Sequence, residues 1–171
     1  YTTMEPCPMC FGTAVMMNIR NISYGARDSY AGATGINDKL DYIKRKNINI
    51  KYESGEIEAF QLILQTAYEY ERQPYRLEEL LGAWRSVNNI AIDCGKELCN
   101  LGYFPQAARD NKPIEEIYNE VINKYREIRR CPLCGGDNGC THNKDCWCFS
   151  TTIPKGIFDL LPEDKKGKTC I

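Results

Sequence analysis

The stretch Tyr1-Thr2-Thr3-Met4-Glu5-Pro6-Cys7-Pro8-Met9-Cys10 limits the possible folds more than any other part of the chain. Tyr1-Thr2-Thr3 has the β-propensity of a strand that is ending. Pro6 and Pro8 suit an extended lead-in followed by a first helical turn. Phe11, Ala14, Val15 and Asn18-Ile19 then continue at helical spacing. The chain therefore passes from strand to helix at Cys7, and Cys7 and Cys10, three apart in the first turn, share a face. Unpaired amides and the positive dipole end of that turn favour the thiolate, the form that binds metal. Strand, then Cys-x-x-Cys, then helix describes a metal site and a thioredoxin-like redox site about equally, with two buried thiols as a third reading.

The rest of residues 1–73 has the pattern of ordinary α/β. A second strand, Ile22-Ser23-Tyr24-Gly25-Ala26, leads into Arg27-Asp28-Ser29-Tyr30-Ala31-Gly32-Ala33-Thr34-Gly35. Ile48, Ile50 and Tyr52 alternate as in a half-buried strand, and Ser54-Gly55 makes a turn. Ile57, Phe60, Ile63, Leu64, Ala67 and Tyr68 are expected on one face of a helix that ends before Pro74. Strand, helix, strand and helix with short connections imply a parallel or mixed sheet covered by helices.

Pro6 directly before Cys7 matches the Pro-Cys-x-x-Cys half of the zinc deaminase signature and moves the pair toward metal. Together with Tyr24-Gly25-Ala26-Arg27-Asp28 and Gly32-Ala33-x-Gly35, residues 1–73 resemble the cytidine deaminase superfamily, in its tRNA adenosine, guanine and nucleoside deaminase branch. The resemblance implies a three-layer α/β fold and a hydrolytic reaction. Zinc lowers the pKa of water for attack on the ring carbon bearing an exocyclic amine, and ammonia leaves. It makes Cys7 and Cys10 ligands of a catalytic Zn2+ and places Arg27 and Asp28 near the mouth of the pocket. An internal salt bridge or a turn is an equally good reading of those two residues. The family's third ligand and proton-shuttling glutamate belong to a His-x-Glu or Cys-x-Glu pair, and neither pair occurs in these 171 residues. Both are expected upstream of Tyr1, together with the sheet's two opening strands, so residues 1–171 are expected to be inactive alone. Glu5, which precedes the zinc turn, belongs to that turn in the family and cannot stand in for the acid/base.

Residues 74–130 form a helical extension. Leu77, Leu80, Leu81, Trp84, Val87, Ala91 and Leu98 make one stripe, stopped by Gly102 and Pro105. Pro113 opens a second helix with Ile114, Ile117, Tyr118, Val121, Tyr125 and Ile128 along one side. An αα-hairpin joined by about ten residues is expected. Cys94 and Cys99, off any shared face, read as buried core thiols.

From residue 131 the chain changes character. Cys131-Pro132-Leu133-Cys134-Gly135-Gly136 has the form of a zinc knuckle, followed by Cys140, His142, Cys146-Trp147-Cys148 and Cys170. A disulfide framework is the competing reading. Residues 131–171 resemble the cysteine-rich CWC family, which implies one or two structural Zn2+ held by Cys131, Cys134, Cys140, Cys146 and Cys148, with His142 and Cys170 as further candidates. Zinc would then be needed for this module to fold. Trp147 reads as a core plug before a base-stacking surface.

Charge limits the partners. A net charge of −1 and a pI near 6.0 give no general attraction to nucleic acid. A small nucleobase or nucleoside is therefore the expected substrate ahead of tRNA. A wobble adenosine deaminase and a non-catalytic zinc protein that recognises nucleotides or RNA are the alternatives. No apolar run approaches the ~20 residues of a membrane span, and no signal peptide is read, so a cytoplasmic location is expected. The resemblance also makes a homodimer plausible.

Overall fold

A computed structural model of the chain describes residues 1–130, 151, 152 and 156. Three strands, β1 (Thr2–Met4), β2 (Asn21–Ala26) and β3 (Asn49–Tyr52), form one sheet in the order β1-β2-β3, with both pairings parallel. Thr2 lies opposite Tyr24 and Met4 opposite Ala26, while Ile22 faces Ile50 and Tyr24 faces Tyr52. Parallel pairing requires crossovers. These are α1 (Pro8–Met16), and then a 3-10 turn (Thr34–Ile36) with the short α2 (Asp41–Lys44). The helices α3 (Glu56–Arg72), α4 (Leu77–Asn100), α5 (Tyr103–Arg109) and α6 (Ile114–Arg129) complete the described chain. The α/β expectation is met. Among the described residues no helix is long and apolar enough to cross a membrane.

Two apolar clusters organise these elements. The smaller joins Phe11 and Val15 of α1 to Ile22, Ala33, Ile43 and Ile48. The larger runs from Ala26 at the end of β2 through Ala59, Leu62 and Ile63 of α3 into Leu77, Leu81, Trp84, Ile90, Ala91, Ile92 and Leu98 of α4, and on to Val121, Ile122 and Tyr125 of α6. Burying a Leu, Ile or Val side chain contributes about 1.5–3 kcal/mol. The loop near residue 74 thus separates helices without separating their core, and the extension packs on the strand-bearing part.

The buried face of α3 is rotated from the one its apolar spacing suggests. Ala59, Leu62, Ile63, Thr66 and Ala67 are buried, whereas Ile57 and Tyr68 are 54% and 50% exposed. Gly95 of α4 explains the shift. A Cβ there would lie 2.7 Å from the Thr66 Cβ and 2.8 Å from the Ile63 carbonyl oxygen, so the two helices touch through small residues rather than through the bulky stripe. Gly95→Ala should lower stability by about 1–3 kcal/mol despite alanine's better helix propensity, because backbone has to move. Urea unfolding of the variant measures this.

Helix α4 bends at Asn88 (φ −153°, ψ 91°). The Asn88 side chain caps the second half, with Ala91 N–H donating to its Oδ1 at 3.0 Å and its Nδ2 donating to the Tyr125 hydroxyl at 3.0 Å. A side chain inserted into the helical ladder is one of the identifiable causes of a kink. The expected hairpin connection instead contains α5. Gly102 adopts a left-handed conformation (φ 63°) and starts that helix, and Pro105 falls within its first turn, where a missing N–H costs no hydrogen bond.

Candidate metal-binding turn

Strand β1 delivers Glu5-Pro6 to the mouth of α1, where Cys7 is the N-cap in extended conformation (φ −67°, ψ 169°) and Pro8 is the first helical residue. No side-chain hydrogen bond caps this helix, which leaves its first amides available to a negative charge. The Cys10 backbone N–H and then the Cys10 thiol hold the Cys7 pKa below the usual thiol value, with the Met9 amide adding to the effect. Cys10 responds in the opposite sense. Its thiol is pushed up because it hydrogen-bonds to the Cys7 sulfur and faces that sulfur's charge. The pair is half-buried at Cys7 and exposed at Cys10, and both thiols are free.

A carboxylate clamp fixes the turn against the loop after β2. Glu5 Oε1 accepts the Thr34 amide at 3.1 Å and the Thr34 hydroxyl at 2.5 Å, and Glu5 Oε2 accepts the Asp28 amide at 3.2 Å. Backbone bonds run alongside, from Glu5 N–H to the Ala26 carbonyl (2.8 Å) and from Ala33 N–H to the Pro6 carbonyl (3.0 Å). Gly32 is required by this closeness, since a Cβ there would sit 2.4 Å from the Glu5 carboxylate. Glu5 is fully engaged in positioning the turn, consistent with its reading as part of the turn and not as acid/base.

Asp28 and Arg27 occupy different settings. Asp28 Oδ1 accepts the Tyr30 and Ala31 amides at 3.0 and 3.1 Å, closing the turn, and also the Trp84 indole N–H at 2.9 Å. Asp28 therefore ties the loop to α4. Arg27 is exposed, with its guanidinium 4.6 Å above the centre of the Tyr52 ring, and it forms no salt bridge among the described residues. The Tyr52 hydroxyl donates to Glu58 Oε1. Burial and that acceptor push the Tyr52 pKa up to about 12. Sequence reasoning did not single out Tyr52, Glu58 or Trp84 as neighbours of this loop, because each comes from a separate element.

The donor chemistry fits zinc as far as it goes: two thiols on one helical turn, one already favouring its ionised form. Among the described residues no group of three or more His, Cys, Asp or Glu gathers to hold a metal ion. Cys131, Cys134, Cys140, Cys146, Cys148, Cys170 and His142, expected to hold zinc, lie outside the described residues. Of the two cysteines of α4, Cys94 is buried in the core, while Cys99 is half-buried and lines an apolar cavity of about 340 Å³.

The thiols should be distinguishable by labelling. Burial pushes Cys94 up to about 11. Its folded pKa lies above the unfolded value near 9, so its contribution to stability is complete below pH 9 and is lost as pH rises through 11. In metal-free protein at pH 8, iodoacetamide should modify Cys7 first, Cys10 more slowly, and Cys94 only after unfolding. Peptide mass mapping against time checks the order.

Comparison with known proteins adds two findings. The cysteine-rich CWC family matches residues 131–171. A tRNA-specific adenosine deaminase of Bacillus subtilis (strain 168) is 36% identical over 58 residues, which cover 34% of this chain and 36% of that relative. The chain thus spans about a third of the length of the curated relative it matches. No solved structure matches it significantly.

Proposed function

We propose that the turn at Cys7 and Cys10 is the thiolate half of a zinc centre in a deaminase that converts the amine of a nucleobase or nucleoside to a carbonyl with release of ammonia. The observation carrying this reading is the preorganised pair itself: extended Cys7, Pro8 opening the helix, an amide-stabilised Cys7 sulfur, and Glu5 bracing the turn against residues 28–34. The partial likeness to a tRNA-specific adenosine deaminase and the three-stranded parallel sheet support it. In this reading the described part belongs to a cytidine-deaminase-like fold. Bound at the two thiolates, zinc would acidify water to a pKa of about 7 and so supply a nucleophile at neutral pH. Cys7 and Cys10 hold the metal, the helix start offsets their negative charge, and Glu5 with Gly32 keeps the loop after β2 seated against them.

The third ligand and the proton carrier come from outside residues 1–171, which contain no His-x-Glu or Cys-x-Glu pair. Nucleobases and nucleosides are favoured over tRNA as substrates by the acidic pI, and cysteines 131–170 supply a separate structural zinc module. A cytoplasmic homodimer belongs to the same reading. The test uses two proteins, the isolated 171 residues and the full-length parent, assayed for ammonia release from guanine, adenosine, cytidine and a tRNA hairpin. The parent should turn over one of the small substrates and the 171 residues none. Turnover by the isolated residues would overturn the placement of the missing ligand and acid/base. A parent that carries the upstream zinc ligand without its glutamate would point to the non-catalytic alternative.

A further inference from the structure

The two sulfurs of the thiol turn lie within reach of each other, since the Cys10 thiol hydrogen-bonds to the Cys7 sulfur. Three residues at the start of a helix rise only about 4.5 Å, and a disulfide bridges Cα atoms about 4.4–6.8 Å apart. Cys94 and Cys99 cannot pair in the same way. They are five apart in α4, and that rise of about 7.5 Å already exceeds the ~7 Å at which bridging fails. Among the described residues, therefore, only Cys7 and Cys10 are placed to close a disulfide within one turn.

The bonds that shape this turn run through backbone and carboxylate. Glu5 holds the Thr34 and Asp28 amides, the Ala33 N–H donates to the Pro6 carbonyl, and the Phe11 N–H donates to the Cys7 carbonyl at 2.8 Å. Neither cysteine belongs to an apolar cluster. A bond between the sulfurs thus leaves both the clamp and the core packing in place. Cys10 is exposed and Cys7 half-buried, so a small oxidant in solution can reach the pair.

We propose that the turn is a redox switch, in which a small disulfide such as glutathione disulfide closes Cys7 to Cys10 and withdraws both thiolates from zinc. This inference rests on the zinc reading of the same pair. The Cys7 thiolate, at the positive end of α1, attacks one sulfur of glutathione disulfide, forms a mixed disulfide and expels one glutathione thiolate. Cys10, after losing its proton to water, attacks the Cys7 sulfur and expels the second. The protein dithiol gives up two electrons and two protons, and glutathione disulfide leaves as two thiols. A disulfide sulfur no longer offers the thiolate that binds metal. A reducing dithiol reverses the exchange, so the deaminase is switched off and on without being unfolded.

Peptide mapping of the metal-free 171-residue chain after incubation with glutathione disulfide tests the closure. Cleavage after Arg20 releases residues 1–20, which hold Cys7 and Cys10 and no other cysteine. This peptide should become lighter by the two thiol hydrogens and resist iodoacetamide, at least about tenfold faster than Cys94 or Cys99 is modified. In Cys10→Ser, glutathione should stay trapped on Cys7. In the full-length protein the same treatment should release the zinc that depends on Cys7 and Cys10, with unchanged circular dichroism, and dithiothreitol with added zinc should restore it. A wild-type peptide that stays reduced, or that keeps its glutathione unresolved, would overturn the switch. Zinc bound by the reduced pair and retained after closure would overturn it as well. The zinc reading is measured separately, by the metal content of the reduced full-length protein with and without Cys7→Ser and Cys10→Ser. Equal counts there remove that reading and the switch together, whereas a lower count in the variant with no closure in the wild type removes the switch alone.

Discussion

Replacing Trp84 by alanine should cost about 3–5 kcal/mol, the range for a buried tryptophan, in a fold whose total stability is on the order of 5–15 kcal/mol. Trp84 is 3% exposed within the larger apolar cluster, and its indole N–H is donated to Asp28 Oδ1. The substitution therefore opens a cavity and also releases the loop after β2 from α4. Trp84→Phe separates the two effects. It retains most of the apolar contact and removes a hydrogen bond to a charged group, worth about 1.5–3 kcal/mol. Urea unfolding measures the stabilities. Hydrogen exchange of the amides of residues 28–34 measures the release, which should accelerate in both variants. Wild-type exchange at these amides in Trp84→Phe would show that Glu5 and the Ser29 bond to the Ala83 carbonyl hold the loop without the indole.

The second large effect concerns metal. Cys7→Ser with Cys10→Ser in the full-length protein should remove one zinc per chain and leave any metal held by residues 131–171 in place. Both thiols are free and neither belongs to the apolar clusters, so the stability of the metal-free fold should change by no more than about 0.5 kcal/mol. Loss of metal without loss of fold is the expected signature. Elemental analysis of wild-type and variant protein, with circular dichroism on the same samples, reads both quantities. An unchanged zinc count would mean that the pair is a redox or merely structural couple, the reading that a bare Cys-x-x-Cys at a helix start leaves open.

Local signals were the ones the chain displayed openly. Proline flanking Cys7, alternation through Ile48–Tyr52 and the stripe through Leu77–Trp84 each act within a few residues, and the corresponding strand-to-helix turn, strand and helix are present. Contacts between distant elements left no such trace. The rotation of α3, which exposes Ile57 and Tyr68, traces to Gly95 on another helix. Asp28 reads equally as a residue at a pocket mouth and as a turn residue, and its carboxylate oxygen is shared among two turn amides and an indole 56 residues on, the last of which no local pattern displays. Glu58 stands out in no local pattern, and only the close approach of β2, β3 and α4 makes it a buried carboxylate at a cleft. Apolar stripes also mark burial without marking bends: nothing in the periodicity of α4 distinguishes Asn88, whose side chain interrupts the helix by capping its second half.

The most direct test of the central claim is ammonia release from guanine, adenosine and cytidine by the full-length protein with and without Cys7→Ser. The Cys7 sulfur is one of the two thiolates assigned to the metal, and the clamp through Glu5 exists independently of it. Activity should therefore fall below detection while the fold persists. A Cys7→Ser parent that releases ammonia at the wild-type rate would contradict the account.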